Sequence, residues 1–169
     1  MKTSEFTDAI ALLKADHRNV EDLFEQYEGA NDRKKRELAD SICNSLKIHA
    51  TIEEEIFYPA LQGKIEVTLL NEAYVEHDGA KLLINDIMAN PNIDEMVDAK
   101  VKVLSEEIKH HVGEEEMPNE GIFAQARKSG VDLVALGEQL AARKVELTKT
   151  MTTAGLPPAE MRVIQVQAV

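Results

Sequence analysis

The sequence predicts an all-α fold in which four amphipathic helices form a bundle and an additional helix follows at the C-terminus. Long stretches are rich in Ala, Leu, Glu and Lys, which favour helix, and only five prolines and eight glycines interrupt them. Apolar residues recur at steps of three and four, the spacing of one helix face. Alternation of apolar and polar residues, typical of a half-buried strand, is absent.

The first two predicted helices each carry one apolar stripe. The first runs from about Ser4 to Glu28, and Gly29 ends it. A polar turn around Asn31 leads to the second helix, which closes near Pro59. Their inward-facing residues, in chain order, are Phe6, Ile10, Leu13, His17, Val20, Phe24 and Tyr27, then Leu38, Ile42, Leu46, His49, Glu53 and Ile56.

The third and fourth predicted helices repeat this arrangement. The third begins after Gly63 and ends at Pro91, and the fourth runs from about Asp94 to the break at Pro118. A fifth helical segment covers about residues 131–151. The inward-facing residues of the third and fourth helices are Val67, Leu70, Tyr74, His77, Ile84 and Met88, then Val97, Val101, Leu104, Ile108, His111 and Glu115.

Charge and cysteine content narrow the class of protein. Lys and Arg number 19 against 31 Asp and Glu, and the formal net charge of -12 argues against nucleic acid or an anionic membrane as a partner. Cys43 is the single cysteine and the N-terminus lacks a secretory layout, so we expect a cytoplasmic location. No apolar stretch approaches the roughly 18 residues that a membrane span needs. The 169 residues suit one domain with one core.

Two segments place histidines four residues before glutamates. On a helix this spacing brings both side chains to one face, where an imidazole and a carboxylate can share a metal ion. His49 and Glu53 form such a pair in the second helix. In the fourth helix, the spacing is offered twice, by His110 with Glu114 and by His111 with Glu115. Two such pairs from two helices can close on one site.

All four apolar stripes carry a histidine. A single histidine on such a face is usually a core residue bonded to a carbonyl group. Four imidazoles in one bundle each need a buried partner, because an unsatisfied buried polar group costs about 1–3 kcal/mol. Unpaired ionised glutamates in the same core would be far more costly. A metal centre that satisfies all of them is therefore favoured over a plain bundle with unrelated polar core positions.

These motifs resemble the hemerythrin-like family, the HHE cation-binding domains. The matching segments are residues 12–17, 49–59, 76–78 and 110–116, and the likeness covers about residues 11–127. The resemblance implies an up-and-down four-helix bundle with a non-haem di-iron centre, in which histidines terminate each iron and two carboxylates bridge them. We expect residues 1–128 to form this bundle and residues 129–169 to add a helical extension packed on the same domain.

Carried over position by position, the resemblance implies six metal ligands. In the fourth helix, the apolar phase favours His111 and Glu115 over His110 and Glu114, which would then support the ligands or lie on the surface. Three further glutamates are predicted to lie on a solvated face, namely Glu54, Glu55 and Glu116. The six predicted ligands are His17, His49, Glu53, His77, His111 and Glu115.

The sequence departs from oxygen-carrying hemerythrins at two places. Those proteins have a second histidine four residues from the one on the third helix, whereas the neighbours of His77 here are Ala73 and Lys81. One iron would lack a ligand, which Tyr74 could replace, although an ordinary core role for this tyrosine is favoured. Extra residues around Pro118 could open one end of the site. Reversible oxygen carriage in the classical sense is therefore in doubt.

Three functions fit the predicted centre. The first is binding or sensing of dioxygen, nitric oxide, peroxide or iron, and the second is an enzyme that decomposes peroxide or reduces nitric oxide. The third is a structural metal-binding bundle, mononuclear or loaded with zinc. Histidine and carboxylate ligands favour two iron ions with oxo or carboxylate bridges, with manganese or zinc as alternatives. No nucleophile triad, phosphate loop or cofactor motif specifies a substrate.

Overall fold

The computed structural model describes residues 6–167. Four long helices and a fifth C-terminal one account for most of this range, in agreement with the predicted all-α bundle. Their bounds are α1 (Ala9–Glu28), α2 (Asp32–Ile52), a π-helical turn (Glu53–Phe57), α3 (Tyr58–Leu61), α4 (Val67–Ala89), α5 (Glu95–Glu115), α6 (Ile122–Lys128) and α7 (Leu133–Ala154). No helix in this range is long and apolar enough to cross a membrane.

Side-chain caps set the starts of four helices. Asp8, Asn31, Asp94 and Asp132 each accept a hydrogen bond from the backbone N–H three residues further on. Such caps satisfy donors that have no partner inside the helix. Because Asp8 caps α1, the helix begins later than expected, and Phe6 precedes it. The predicted start near Ser4 lies outside the described residues.

The second predicted helix does not continue regularly to Pro59. After Ile52 the backbone widens into the π-helical turn, in which the Tyr58 N–H donates to the Glu53 carbonyl five residues earlier. A π-helical turn accommodates an extra residue and shifts the phase of the side chains that follow. Ile56, predicted to face inward, is only half-buried, whereas Phe57 and Tyr58 are fully buried.

Two apolar clusters fill the bundle, one on each side of its polar centre. Along α1 the first cluster ends at Leu13 and the second begins at Val20, with His17 between them. Helix α4 has the same order around its histidine and α2 has the reverse order, so the histidines of these helices lie at one level. Short α6, which periodicity did not predict, adds Phe123 to the first of these clusters. The fold thereby brings the polar residues of four helices together.

The C-terminal part of the chain packs along the bundle. Helix α7 lies against α1 and α2, and residues 155–167 form an extended segment that we call the C-terminal strap. Buried Asp78 accepts hydrogen bonds from the backbone N–H groups of Arg162, Val163 and Ile164 at 2.7–3.0 Å. Asn85 exchanges two hydrogen bonds with the backbone of Ala159. The strap is thus held to α4 by its backbone.

Candidate metal centre

The Nε2 atoms of four buried histidines converge at the centre of the bundle. Those of His17 and His49 are 3.2 Å apart, and those of His77 and His111 are 3.1 Å apart. All four side chains are buried. Each pair therefore joins two different helices and presents two imidazole nitrogens to the same small volume.

Two carboxylates lie between the histidine pairs. Glu53 Oε2 is 3.2 Å from His49 Nε2 and 3.3 Å from His77 Nε2, so it contacts both pairs. Glu115 Oε2 is 3.3 Å from His17 Nε2 and 3.5 Å from His111 Nε2. Each carboxylate spans one histidine of either pair, which is the placement that a bridging ligand requires. The structure thus brings together all six predicted ligands.

Each imidazole also meets a carboxylate on its outer side, through Nδ1. A carboxylate at Nδ1 holds the proton on that nitrogen and leaves Nε2 free to bind a metal. It also fixes the orientation of the ring. The four Nδ1 partners are Glu116 for His17, Asp16 for His49, Glu54 for His77 and Glu76 for His111.

The charged groups at the centre favour the binding of a cation. Burial would lower the pKa of His49, but the carboxylates of Glu53 and Asp16 raise it to about 10. Burial would likewise lower the pKa of His77, and Glu53 and Glu54 raise it to about 9. Burial would raise the pKa of Glu53, yet the imidazoles of His49 and His77 hold it well below its ordinary value. The site therefore attracts protons or a metal cation.

Two buried carboxylate oxygens indicate that the residues of the site fit a metal ion. Glu53 Oε1 and Glu115 Oε2 are buried and have no hydrogen-bond partner within the described range 6–167. A buried acceptor without a donor is costly. A cation bound among the imidazole nitrogens would satisfy both oxygens. Two groups of donors can hold such ions, His17 with His49, Glu53 and Glu115, and Glu53 with His77 and His111.

A cavity of about 350 Å³ reaches the histidines. All four imidazoles line it, whereas Glu53, Glu115 and Tyr58 do not. It extends along the bundle between α1, α2, α4 and α5, and Met151 of α7 contributes to its wall. The centre is therefore approachable on its histidine side.

A family model described as the hemerythrin HHE cation binding domain matches residues 8–119 of this sequence. The chain belongs to this family. The matched range contains all six converging residues, so the chain is a metal-binding hemerythrin-like protein, as the sequence motifs predicted.

Two further comparisons found similar proteins, the first of which shows the fold alone. A crystal structure of a hemerythrin HHE cation binding domain-containing protein from Mycobacterium kansasii is similar in fold, with a TM-score of 0.70 and 22% identity, covering 88% of this chain and 94% of that one. A curated protein named DNA nickase, from Nostoc sp. (strain PCC 7120 / SAG 25.82 / UTEX 2576), is 32% identical over 120 residues. This alignment covers 70% of the chain and 33% of the relative, so the chain spans about a third of that protein's length.

In α5 of this hemerythrin domain, His111 and Glu115 face the core, as the apolar phase predicted. His111 is 4% exposed and Glu115 is 1% exposed. The His110 side chain, by contrast, is 66% exposed and lies 3.1 Å from Glu114 and 3.5 Å from Glu76. His110 and Glu114 therefore stand outside the converging group, although Glu76 links them to the Nδ1 atom of His111.

The prediction of a solvated face is wrong for two of the three glutamates. Glu54 is 4% exposed and holds His77 Nδ1 at 3.0 Å, because the π-helical turn rotates it into the bundle. Glu116 contacts His17 Nδ1 at 2.7 Å, because α5 ends there and its side chain turns back. Glu55 does lie at the surface, where Arg143 binds it.

Tyr58 is a site residue that the sequence patterns did not single out. Its hydroxyl donates to Glu115 Oε1 at 2.7 Å and lies 3.3 Å from Glu53 Oε2. It is also 3.4 Å from His77 Nε2. Tyr74, considered for this role, instead packs its ring against that of Tyr58 at 5.4 Å between centroids. Only the widened turn after Glu53 could have indicated Tyr58, and periodicity does not reveal it.

The residues around Pro118 do not open the site. The chain turns sharply at Gly121, where an added Cβ atom would come within 2.6 Å of the Glu114 and Glu115 carbonyl oxygens. Helix α6 then places the Phe123 ring parallel to that of His17, with 5.7 Å between centroids. The extra residues therefore close this end with an aromatic ring.

Proposed function

We propose that this hemerythrin-like chain holds two iron ions and binds or senses dioxygen, or a related small ligand such as nitric oxide or peroxide. The observation that carries the proposal is that two groups of donors share Glu53. Six converging ligands exceed the four that a closed tetrahedral site needs. Imidazole with carboxylate is a donor set that suits iron, with manganese and zinc as competitors. Iron sensing is a further form of the same proposal.

Ligand access supports a binding function over a purely structural one. A bound di-iron centre supplies redox-active ions with positions at which small oxygen or nitrogen species can coordinate. The cavity meets the centre at its four histidines, whereas Tyr58 and the two carboxylates lie away from it. Small ligands would therefore arrive on the histidine side. A purely structural metal site does not require such a path.

Decomposition of peroxide, or reduction of nitric oxide, is the second candidate. The Tyr58 hydroxyl favours it, because a phenol beside the centre is a proton donor within 2.7 Å of Glu115. Reduction of nitric oxide consumes protons, and decomposition of peroxide requires the transfer of protons between oxygen atoms. The raised pKa of the buried Tyr58, caused first by burial and then by Glu115 and Glu53, keeps the phenol protonated at neutral pH.

A nucleic-acid function is not proposed. The name of the Nostoc relative refers to DNA, but this chain aligns with 33% of that protein. The net charge of -12 would repel the phosphate backbone.

Metal analysis combined with optical spectroscopy tests the proposal. Purified protein should contain about two iron ions per chain and develop visible charge-transfer absorption when the reduced form is exposed to air. A change of spectrum on adding nitric oxide or hydrogen peroxide would support ligand binding, and turnover of peroxide would favour the enzyme. A single zinc ion per chain, with no visible absorption after iron loading and aeration, would support the structural alternative instead.

A further inference from the structure

The cavity beside the histidines is larger than any small gas requires. Protein interiors are close-packed, and voids larger than a water molecule are few. Its volume is about 350 Å³, whereas an engineered cavity of about 150 Å³ already holds benzene. Space of this size fits an organic ligand. Dioxygen, nitric oxide and peroxide would each leave most of it unfilled.

The walls of the cavity indicate what such a ligand looks like. Between the histidines and the surface, its sides are formed by aliphatic groups from four helices. Near the surface, α2 contributes the hydroxyl and amide groups of Ser41, Asn44 and Ser45. The aliphatic wall residues include Val20, Leu46, Ala80, Ile84, Ile108 and Val112. An apolar body with one small polar group matches this lining.

The two lysines of the cavity wall are already paired. Lys81 binds Glu54 at 2.8 Å and Asp78 at 3.3 Å, and Lys144 binds Asp16. Neither lysine is therefore available to neutralise a carboxylate or phosphate on a ligand. Burying an unpaired anion in this cavity would be costly. The lining thus favours an uncharged molecule.

We propose that the cavity binds a neutral organic molecule with an apolar body and one small polar group. At about 30 Å³ for each water-sized group, the space accommodates roughly ten non-hydrogen atoms. The inference deepens the proposed function, on which it rests for the metal that the inner end of the ligand meets. It adds an organic molecule in the cavity to the small ligands that the centre is proposed to bind.

Linear primary alcohols from butanol to dodecanol provide the test, with binding to metal-loaded protein measured by titration calorimetry. Affinity should rise by about fourfold for each added methylene, the gain expected from burying one CH₂ group. It should level off near ten non-hydrogen atoms, when the cavity is full. In metal-free protein, where no iron can bind the carboxylate, octanoate should bind at least tenfold more weakly than octanol. Affinity independent of chain length, or tighter binding of octanoate, would overturn the proposal.

A substitution that fills the cavity can be compared with the same substitution at the surface. Ala80→Leu adds a larger side chain to the wall from α4 and should weaken octanol binding at least tenfold. Ala142→Leu, the same change at an exposed position of α7, should leave it unaltered. If Ala80→Leu does not fold, Ser45→Leu narrows the cavity from a half-buried position and should also weaken binding. Unchanged octanol affinity in a folded cavity variant would place the binding elsewhere and reject the proposal.

Metal content, measured on each sample, separates this inference from the proposed function. Protein that lacks iron but binds octanol with the expected chain-length dependence would contradict the di-iron proposal and support the cavity ligand. Protein with two iron ions and no alcohol binding would support the di-iron proposal and contradict the cavity ligand.

Discussion

The two motifs that pair a histidine with a glutamate begin alike and end differently. His49 with Glu53, and His111 with Glu115, both bury an imidazole and a carboxylate one helical turn apart. After Glu53 the backbone widens into the π-helical turn and continues to Tyr58, whereas after Glu115 helix α5 ends. The same spacing therefore leads to different surroundings.

The difference shows that the backbone after a His–Glu pair decides which neighbouring side chains also face the centre. Successive residues of a regular helix point about 100° apart, so neighbours of a buried glutamate usually face elsewhere. The widened turn keeps Glu53, Glu54 and Tyr58 all inside the bundle. In the second motif, the neighbours of Glu115 are more exposed, and of these only Glu116 reaches back to a histidine of the centre, whereas Glu114 contacts the exposed His110. The first motif therefore provides more of the centre.

Loss of Glu53 should have the largest effect. Its carboxylate contacts both histidine pairs, so Glu53→Ala removes a donor from both metal positions and should abolish metal binding. The aliphatic clusters should keep the metal-free variant folded. Metal content, together with circular dichroism, measures the result. Glu55→Ala is the control, because this glutamate binds Arg143 at the surface and should retain full metal content. Equal metal content in both variants would disprove a bridging role.

The second motif offers the next comparison. His111→Ala removes a converging Nε2 atom and should empty at least one metal position. His110→Ala changes a mostly exposed side chain and should retain most of the metal. Iron content of the two variants, prepared side by side, decides between them. If His110→Ala lost its metal and His111→Ala kept it, the assignment of α5 would be wrong.

Glu54 should have an intermediate effect, unlike the nearly silent one that a solvated position would have. Glu54→Ala removes the carboxylate that orients His77, and loss of such a partner usually costs 10- to 100-fold in metal affinity. Competition with a chelator of known affinity measures this change. An affinity within twofold of the unaltered protein would mean that His77 does not depend on Glu54.

Tyr58→Phe tests the group that only the first motif brings to the centre. In metal-free protein the change leaves Glu115 Oε1 without its donor, and the free energy of unfolding should fall by about 1–3 kcal/mol. Urea denaturation gives the value. Tyr74→Phe, on the ring that packs against Tyr58, should change the stability by less than about 0.5 kcal/mol. The hydrogen bond is unimportant if both variants match the unaltered protein.

The smallest expected effect comes from the C-terminal strap. Arg162 Nε lies 3.0 Å from Glu54 Oε2, and Glu54 in turn orients His77. Arg162→Ala should therefore weaken metal binding a few-fold, less than Glu54→Ala does, because Lys81 still holds the carboxylate. Arg143→Ala removes the equivalent partner of Glu55 and should have no effect on metal affinity. Identical affinities for both arginine variants would confine the role of the strap to packing.

Periodicity by itself predicted the five long helices and the inward-facing histidines, but not the π-helical turn or α6. A step of three or four residues is a local property, so His17, His49, His77 and His111 could be assigned to inward faces without knowledge of their neighbours. The same local rule selected His111 over His110. Gly29 and Pro91 likewise indicated where α1 and α4 end, because their backbone restrictions act within one or two residues. Pro59, by contrast, lies within α3.

Tertiary structure alone decided the rest of the centre. The π-helical turn packs against α7, and a phase calculated for a regular helix misplaced Ile56 and Glu54. Tyr58 reaches Glu115 across 57 positions of sequence, and Phe123 meets His17 only because the loop after α5 folds back. Spacing along one helix determines which face a side chain takes. Its partners on other helices are set by how the helices pack, which no local pattern contains.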